Sequence, residues 1–334
     1  MIKTATASIG LDHLGAWSSE QVQQLADRAN ALRTGAAPQR FDGKALGLFF
    51  LNPSLRTSAS FQRAAARLGL ELVQLRGDGV WGLEHRDGVV MDGTTAEHLR
   101  EAAPVLGRYV DLLAVRAFPG AGGFEETRED PVMQGFHRWA GVPVINMESA
   151  RWHPCQALAD WATLDQHAVP KPAKFVLSWA WHPKPLPHAV PNSTLCMAAQ
   201  RGMEVVLLCP PGLELHPAVM AEAEALAAAN GGSVHVSHDR GEALQGAAAV
   251  YAKSWGSQQH WGDLDAETAF RAGLRDWCVT PDWLGAEAHF MHCLPIRRNV
   301  VASDAVLDGP QSIVLDQAEH RLHAQTALLE DLLS

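Results

Sequence analysis

Short apolar runs alternate with helical patterns along almost the whole chain, and this alternation restricts the fold more than any other feature. Strands are expected near 45–51, 71–75, 111–115 and 142–146, with helices near 58–69, 95–107 and 129–139 between them. An amphipathic helix over 17–35, opening after Ser18 and Ser19, precedes the first strand. Thr94-Thr95-Ala96-Glu97 has the spacing of a capping box and predicts a helix start there. A helix-like stretch from His153 to His167 ends at Pro170-Lys171-Pro172, which puts a domain boundary near 149–153. The alternation then resumes, with strands near 174–179, 204–208, 233–236 and 249–252 and helices near 192–201 and 216–230. A last helix, about Gln317 to Leu333, carries Leu322, Leu328, Leu329 and Leu332 on a face suited to packing. Strands alternating with helices call for parallel sheets joined by crossover helices. The expected fold class is therefore α/β, with two parallel-sheet domains over 1–150 and 151–315, the first completed by the C-terminal helix 316–334.

Two segments break the pattern. Gly77 to Gly93 holds Trp81 and Met91-Asp92 and is too long for a tight turn. His182-Pro183-Lys184-Pro185-Leu186-Pro187-His188-Ala189-Val190-Pro191 contains four prolines and is unsuited to a helix interior. A polyproline-type surface connector would account for it, but long irregular loops inside compact domains are usually functional.

Composition narrows the partners. The net charge is −10 and no Lys/Arg cluster occurs, which argues against nucleic acid or an anionic membrane. An anionic ligand would have to be held by locally placed arginines. No apolar stretch approaches the ~20 residues that span a bilayer. Met1-Ile2-Lys3-Thr4 lacks the apolar core of a signal peptide, so a cytoplasmic location is expected. The five cysteines (Cys155, Cys196, Cys209, Cys278 and Cys293) are scattered and form no C-x-x-C pair, so neither a disulfide framework nor a structural zinc is expected. The 16 histidines show no ligand spacing, and no metal is assigned.

Candidate chemistry lies where strands end. The run Ala45 to Leu51 stops at Asn52-Pro53, and a helical pattern follows Ser58. The junction offers free backbone N–H groups at a helix start, the hydroxyls of Ser54 and Thr57, and the guanidinium of Arg56, a combination that suits a phosphate. An ordinary N-cap with an exposed arginine would look the same locally. Further islands are Arg116, Glu148 with His153-Pro154-Cys155-Gln156, Lys253, and His292-Cys293-Leu294-Pro295-Ile296-Arg297-Arg298-Asn299. Each is unremarkable singly; a buried free cysteine, for instance, is most often a core residue.

In this order the islands resemble the aspartate/ornithine carbamoyltransferase family over nearly the full chain. Ser54-Leu55-Arg56-Thr57 is similar to the family's S-x-R-T signature for carbamoyl phosphate, His153-Pro154-Cys155-Gln156 to its H-P-x-Q, and His292-Cys293-Leu294-Pro295 to the H-C-L-P of its ornithine branch. The chain lacks the Ser-Met-Gly loop with which ornithine enzymes grip a free α-amino acid. It carries instead the proline-rich segment and Tyr251-Ala252-Lys253-Ser254-Trp255, as the N-acylornithine carbamoyltransferases do. An acylated α-nitrogen is uncharged, and a site built for an ammonium would leave its own groups unpaired. The resemblance implies a chain knot around the proline-rich loop, a homotrimer with active sites shared between subunits, and no cofactor.

It also implies residue roles. Ser54, Leu55, Arg56, Thr57 and Arg321 would hold carbamoyl phosphate, together with Trp81 from a neighbouring subunit. Arg116 and His153 would donate to the carbonyl oxygen as charge develops, and Gln156, Cys293 and Leu294 would orient the carbamoyl group. Cys293 is expected to position the amine, not to bond covalently. Glu148, His182, Lys253, Leu294 and Arg297 would address the acylornithine. Acetylornithine enzymes have a loop D-G-D-T-E-E-H whose first glutamate faces the acyl group; here Asp92-Gly93-Thr94-Thr95-Ala96-Glu97-His98 puts Ala96 at that position. A glutamate would repel a succinyl carboxylate and alanine does not. Val301, where the acetyl branch has lysine, points the same way. N-succinylornithine is the expected substrate and N-acetylornithine the alternative. Ornithine transfer or a non-catalytic small-molecule sensor are further readings.

Overall fold

The computed structural model describes residues 10–118 and 122–334. Its strands are β1 (Ala45–Phe50), β2 (Glu71–Arg76), β3 (Gly82–Glu84), β4 (Thr95–His98), β5 (Leu112–Ala117), β6 (Val144–Ser149), β7 (Lys174–Trp179), β8 (Glu204–Leu208), β9 (Ser233–Ser237), β10 (Ala249–Lys253) and β11 (His289–Met291). Two parallel sheets result, in the orders β2-β1-β5-β6 and β11-β10-β7-β8-β9, and β3 and β4 form a separate parallel pair. Strands such as β1, β5, β7 and β10 are apolar along their length because helices cover both faces. Each sheet reverses its order once, between β1 and β5 and between β7 and β10. Open parallel sheets bind ligands beyond the carboxyl ends of the strands at such reversals. The junction after β1 and Lys253 at the end of β10 occupy those two places.

Three departures from the sequence-based expectation have physical causes. The Thr94–Glu97 stretch does not cap a helix: residues 95–98 are β4, which pairs with β3, and the helix Leu99–Leu106 is capped by His98. Glu97, free of any capping duty, accepts a hydrogen bond from Nε1 of Trp81 at 2.7 Å. The expected helix over 129–139 starts only at Pro131 and ends at Trp139, and a separate short helix, Phe124–Arg128, precedes it, because Asp130 between them has φ +53° and cannot continue a right-handed helix. The three-residue β11 was not anticipated; it is too short to display a period. Pro191 lies in the first turn of the helix Ala189–Gln200, where a missing N–H costs no hydrogen bond.

The C-terminal helix Val314–Leu333 packs against the helices Ser19–Arg33, Leu55–Leu68 and Pro154–Gln166. Arg28 clamps it with two bonds to Glu330, at 2.7 and 2.9 Å. Pro154–Gln166 and Ala189–Gln200 are apolar or small on nearly every face and run buried side by side. No described helix is long and apolar enough to cross a membrane.

An aromatic cluster joins the segment after β5 to the segment after β10. The ring of Phe124 meets those of Trp261 at 5.2 Å and His188 at 5.4 Å, and Nε1 of Trp261 donates to the Gly122 carbonyl at 3.1 Å. Burial holds His188 at about 4, while its Nε2 contacts the Gly256 carbonyl at 2.9 Å. The unfolded chain takes up this proton near the ordinary 6.5, before the folded chain does. The resulting stability is fully present above pH 6.5 and is lost as pH falls toward 4, an effect of about 3 kcal/mol. Denaturant melts of His188→Gln and wild type should therefore differ by that much less at pH 4 than at pH 7.5. Parallel pH profiles would show that this histidine does not titrate as the packing requires.

Candidate active site

A cavity of about 120 Å³ lies between the carboxyl ends of the two sheets. It is smaller than the ~300 Å³ and upward typical of drug-sized ligands, so it suits a small molecule. Four cationic side chains line it (Arg56, Arg116, Lys253 and Arg321), with one carboxylate, Glu148. In a chain of net charge −10, this local excess of positive charge marks an anion site.

Local sequence places each group. Ser54, extended at φ −155°, caps the helix Leu55–Leu68 and accepts from the Thr57 N–H at 3.4 Å. The first turn behind it has N–H groups without intrahelical partners, and Arg56 lines the cavity from that turn. A register shift between Val115 and Arg116 skips one residue of β6 and puts Arg116 opposite Glu148. The bulge re-aims the arginine, whose Nη1 pairs with Oε2 of Glu148. Nε2 of His153 lies 3.4 Å from the same carboxylate oxygen. Burial, then the charges of Arg321, Arg116, Lys253 and Arg56, hold His153 well below its ordinary value, so it is neutral at neutral pH.

Behind this wall is a buried relay. Arg321 donates from Nη1 to Oε1 of Gln156 at 2.8 Å and from Nη2 to Oγ1 of Thr57 at 3.1 Å. Nε2 of Gln156 donates to Oδ1 of Asp160 at 2.7 Å, and the same oxygen accepts from Nε2 of Gln317 at 2.6 Å. Oε1 of Gln317 accepts the backbone N–H of His292 at 2.9 Å, which secures the turn leading to Cys293. Burial pushes the Asp160 carboxyl up to about 7.

The turn itself is constrained. Leu294 has φ +53°, in the left-handed region, and its N–H donates to Nδ1 of His292 at 2.8 Å, leaving the His292 proton on Nε2. Burial raises the Cys293 thiol above its ordinary value, so at neutral pH it is protonated and a poor nucleophile.

Of the residues singled out from sequence, Ser54, Arg56, Thr57, Arg116, Glu148 and His153 meet at this cavity, as do Gln156, Lys253, Cys293, Leu294 and Arg321. Five do not. Leu55 is exposed on the first turn of its helix, and Trp81 and Ala96 are exposed on the β3–β4 flap. His182 and Arg297 meet each other outside the cavity: Nε of Arg297 donates to Nε2 of His182 at 3.1 Å. That bond puts the histidine proton on Nδ1, which donates to the Lys184 carbonyl at 2.9 Å. Val190 and Pro295 also line the cavity and were missed, being apolar residues without a chemical signature. Asp160 and Gln317 were missed too; the signal for Asp160 was its place one helical turn after Gln156.

A larger groove, about 890 Å³, lies at the amino ends of β7, β10 and β11. Its Arg240 is paired with Asp276 and its His167 with Asp316, so size alone favours it. Among the described residues no group of three or more His, Cys, Asp or Glu side chains could hold a metal ion.

Residues 11–166 match the family described as "Aspartate/ornithine carbamoyltransferase, carbamoyl-P binding domain", and residues 187–332 match "Aspartate/ornithine carbamoyltransferase, Asp/Orn binding domain". The chain is 43% identical over 323 residues to the N-acetylornithine carbamoyltransferase of Xanthomonas campestris pv. campestris, covering 95% of each. It is 38% identical over 294 residues to the N-succinylornithine carbamoyltransferase of Bacteroides fragilis, covering 87% of each. A crystal structure of acetylornithine transcarbamylase complexed with acetylcitrulline superimposes with a TM-score of 0.92 at 42% identity, over 96% of this chain and 98% of that one. A mutant of N-acetyl-L-ornithine transcarbamylase, with alanine in place of a glutamate and complexed with carbamyl phosphate and N-succinyl-L-norvaline, gives a TM-score of 0.92 at 43% identity over the same shares.

Proposed function

Since the chain belongs to the aspartate/ornithine carbamoyltransferase family and is a carbamoyltransferase, we propose that it carbamoylates the δ-amine of an N-acylornithine, and that the acyl group is succinyl. The products are N-succinyl-L-citrulline and phosphate, in arginine biosynthesis. The observation that carries the reading is the convergence of four cations and one carboxylate on a small cavity between two sheet reversals.

In this reaction the deprotonated δ-amine attacks the carbonyl carbon of carbamoyl phosphate. A C–N bond forms, the tetrahedral oxyanion collapses, the C–O bond to phosphate breaks, and the nitrogen loses a proton to the departing phosphate. Ser54, Arg56, Thr57 and Arg321 hold the phosphate. Arg116 and neutral His153 face the carbonyl oxygen, where fixed donors are worth most in the transition state. Gln156, Cys293 and Leu294 orient the carbamoyl group. Glu148 and Lys253 address the amine and the α-carboxylate region of the acceptor, and the Arg297–His182 pair its acyl end. The protonated state of Cys293 supports direct transfer without a covalent intermediate. Residues 1–150 with the C-terminal helix act as the carbamoyl-phosphate domain and 151–315 as the acceptor domain. Trp81 and Ala96, exposed and outside their own chain's cavity, reach the site of a neighbouring copy in a homotrimer.

Succinyl is supported by Ala96, which stands where acetylornithine enzymes have a glutamate, and by the binding of a succinyl analogue to a neighbour whose glutamate is replaced by alanine. N-acetylornithine is the second reading, supported by the higher identity to an acetylornithine enzyme. The test is carbamoyl-phosphate-dependent citrulline formation with N-succinylornithine, N-acetylornithine and ornithine side by side. N-succinylornithine should give the largest kcat/KM, and Ala96→Glu should lower the succinyl-to-acetyl ratio at least tenfold, about 1.4 kcal/mol of added repulsion. Preference for acetyl in the wild type would reassign the acyl group. Turnover of ornithine alone would overturn the acceptor reading.

A further inference from the structure

Gln156 is useful to a carbamoyl group only in one of its two amide orientations. Its oxygen must face the carbamoyl NH2; the flipped amide would set two donors against each other. The side chain itself has no preference between the two, since amide oxygen and nitrogen differ little in shape. What decides is what surrounds it. Arg321, which can only donate, lies 2.8 Å from Oε1. Oδ1 of Asp160 lies 2.7 Å from Nε2 and accepts, whatever the state of the other carboxylate oxygen. Asp160 is fully buried, four residues along the same helix, and touches no part of the cavity.

The same oxygen does a second task. It accepts from Nε2 of Gln317 at 2.6 Å, which turns the oxygen of that amide to the backbone N–H of His292. One buried acceptor thus fixes two amides, one facing the carbamoyl group and one bracing the turn that carries Cys293 and Leu294.

We propose that Asp160 is a positioning residue for the transfer reaction, holding the Gln156 amide in the orientation that accepts from the carbamoyl NH2 and, through Gln317, the 292–294 turn in register with it. The proposal rests on the carbamoyl-phosphate reading of the cavity. Its consequence is specific to one substrate. Asp160→Leu keeps the size of the side chain but leaves both amide NH2 groups without an acceptor, so Gln156 is held from one side only, by Arg321, and Gln317 loses the anchor that turns its oxygen to the His292 N–H. Asp160→Asn retains an oxygen at the Oδ1 position and therefore the orientation.

The experiment is calorimetric titration of the full-length protein with carbamoyl phosphate alone, followed by steady-state kinetics and thermal melts. Asp160→Leu should weaken carbamoyl-phosphate binding by roughly tenfold or more, the worth of one directed hydrogen bond to a buried group. Asp160→Asn should stay within about threefold of wild type even if its melting temperature falls, because orientation and stability separate here. If the leucine variant does not fold, Asp160→Thr, whose shorter hydroxyl cannot reach both amides, carries the same expectation. A leucine or threonine variant that is less stable yet binds carbamoyl phosphate as the wild type does would overturn the inference alone. Failure of the wild type to bind carbamoyl phosphate would overturn the reading of the cavity and the inference with it.

Discussion

Replacing Arg56 with alanine is expected to lower kcat/KM for carbamoyl phosphate by roughly 10²–10³-fold, about 3–4 kcal/mol of lost transition-state binding. Arg56 sits in the first turn of the helix Leu55–Leu68, where the helix dipole and the unpaired N–H groups already favour an anion. Those fixed partial charges remain in the variant; what is lost is a guanidinium fork able to grip two phosphate oxygens at once. Arg56→Lys should therefore recover only part of the loss, since a point charge replaces a bidentate donor. The measurement is steady-state kinetics with carbamoyl phosphate varied, alongside calorimetric binding of carbamoyl phosphate. Near-wild-type values for Arg56→Ala would remove the phosphate from this end of the cavity.

Arg116→Met should act on a different quantity. In the proposed mechanism the guanidinium donates to the carbonyl oxygen, so its removal should lower kcat by roughly 10²–10³-fold, the usual worth of a transition-state donor, with a smaller change in substrate binding. A second effect distinguishes this from simple damage. Arg116 neutralises Glu148, and Glu148 lies 3.4 Å from Nε2 of His153. Burial is the main cause that keeps His153 neutral, and the Arg116 charge adds to it. Without the arginine the histidine loses one repelling charge and gains an unpaired carboxylate, so its pKa moves up toward the ordinary 6.5. The pH–rate profile of the variant should gain an acid limb closer to neutrality than that of the wild type. A loss of less than tenfold with an unshifted profile would take Arg116 out of the oxyanion role.

Much of the site was legible because its parts are local. Ser54 caps a helix that begins at the next residue, His153-Pro154 opens another, and each can be read from spacing within a few positions. The strand-and-helix alternation was likewise local, and it delivered both parallel sheets. Where local reading failed, a local rule had been overruled by a distant partner. Thr94-Thr95-Ala96-Glu97 has the spacing of a cap, yet residues 95–98 pair with β3 because β-branched threonine suits a strand and Gly82–Glu84 lies alongside.

Legible in the sequence were the two-sheet α/β architecture, the phosphate-suited helix start after β1, and the lack of a Ser-Met-Gly loop. Tertiary structure alone decided which of those groups work together. Thr57 meets Arg321 across 264 residues, and Asp160 meets Gln317 across 157. The β5–β6 register shift, which no pattern in either strand announces, sets Arg116 against Glu148. Side-chain periodicity reports only which face of its own element a residue occupies. The partner across that face depends on strand order and register, which the packing of the whole chain settles.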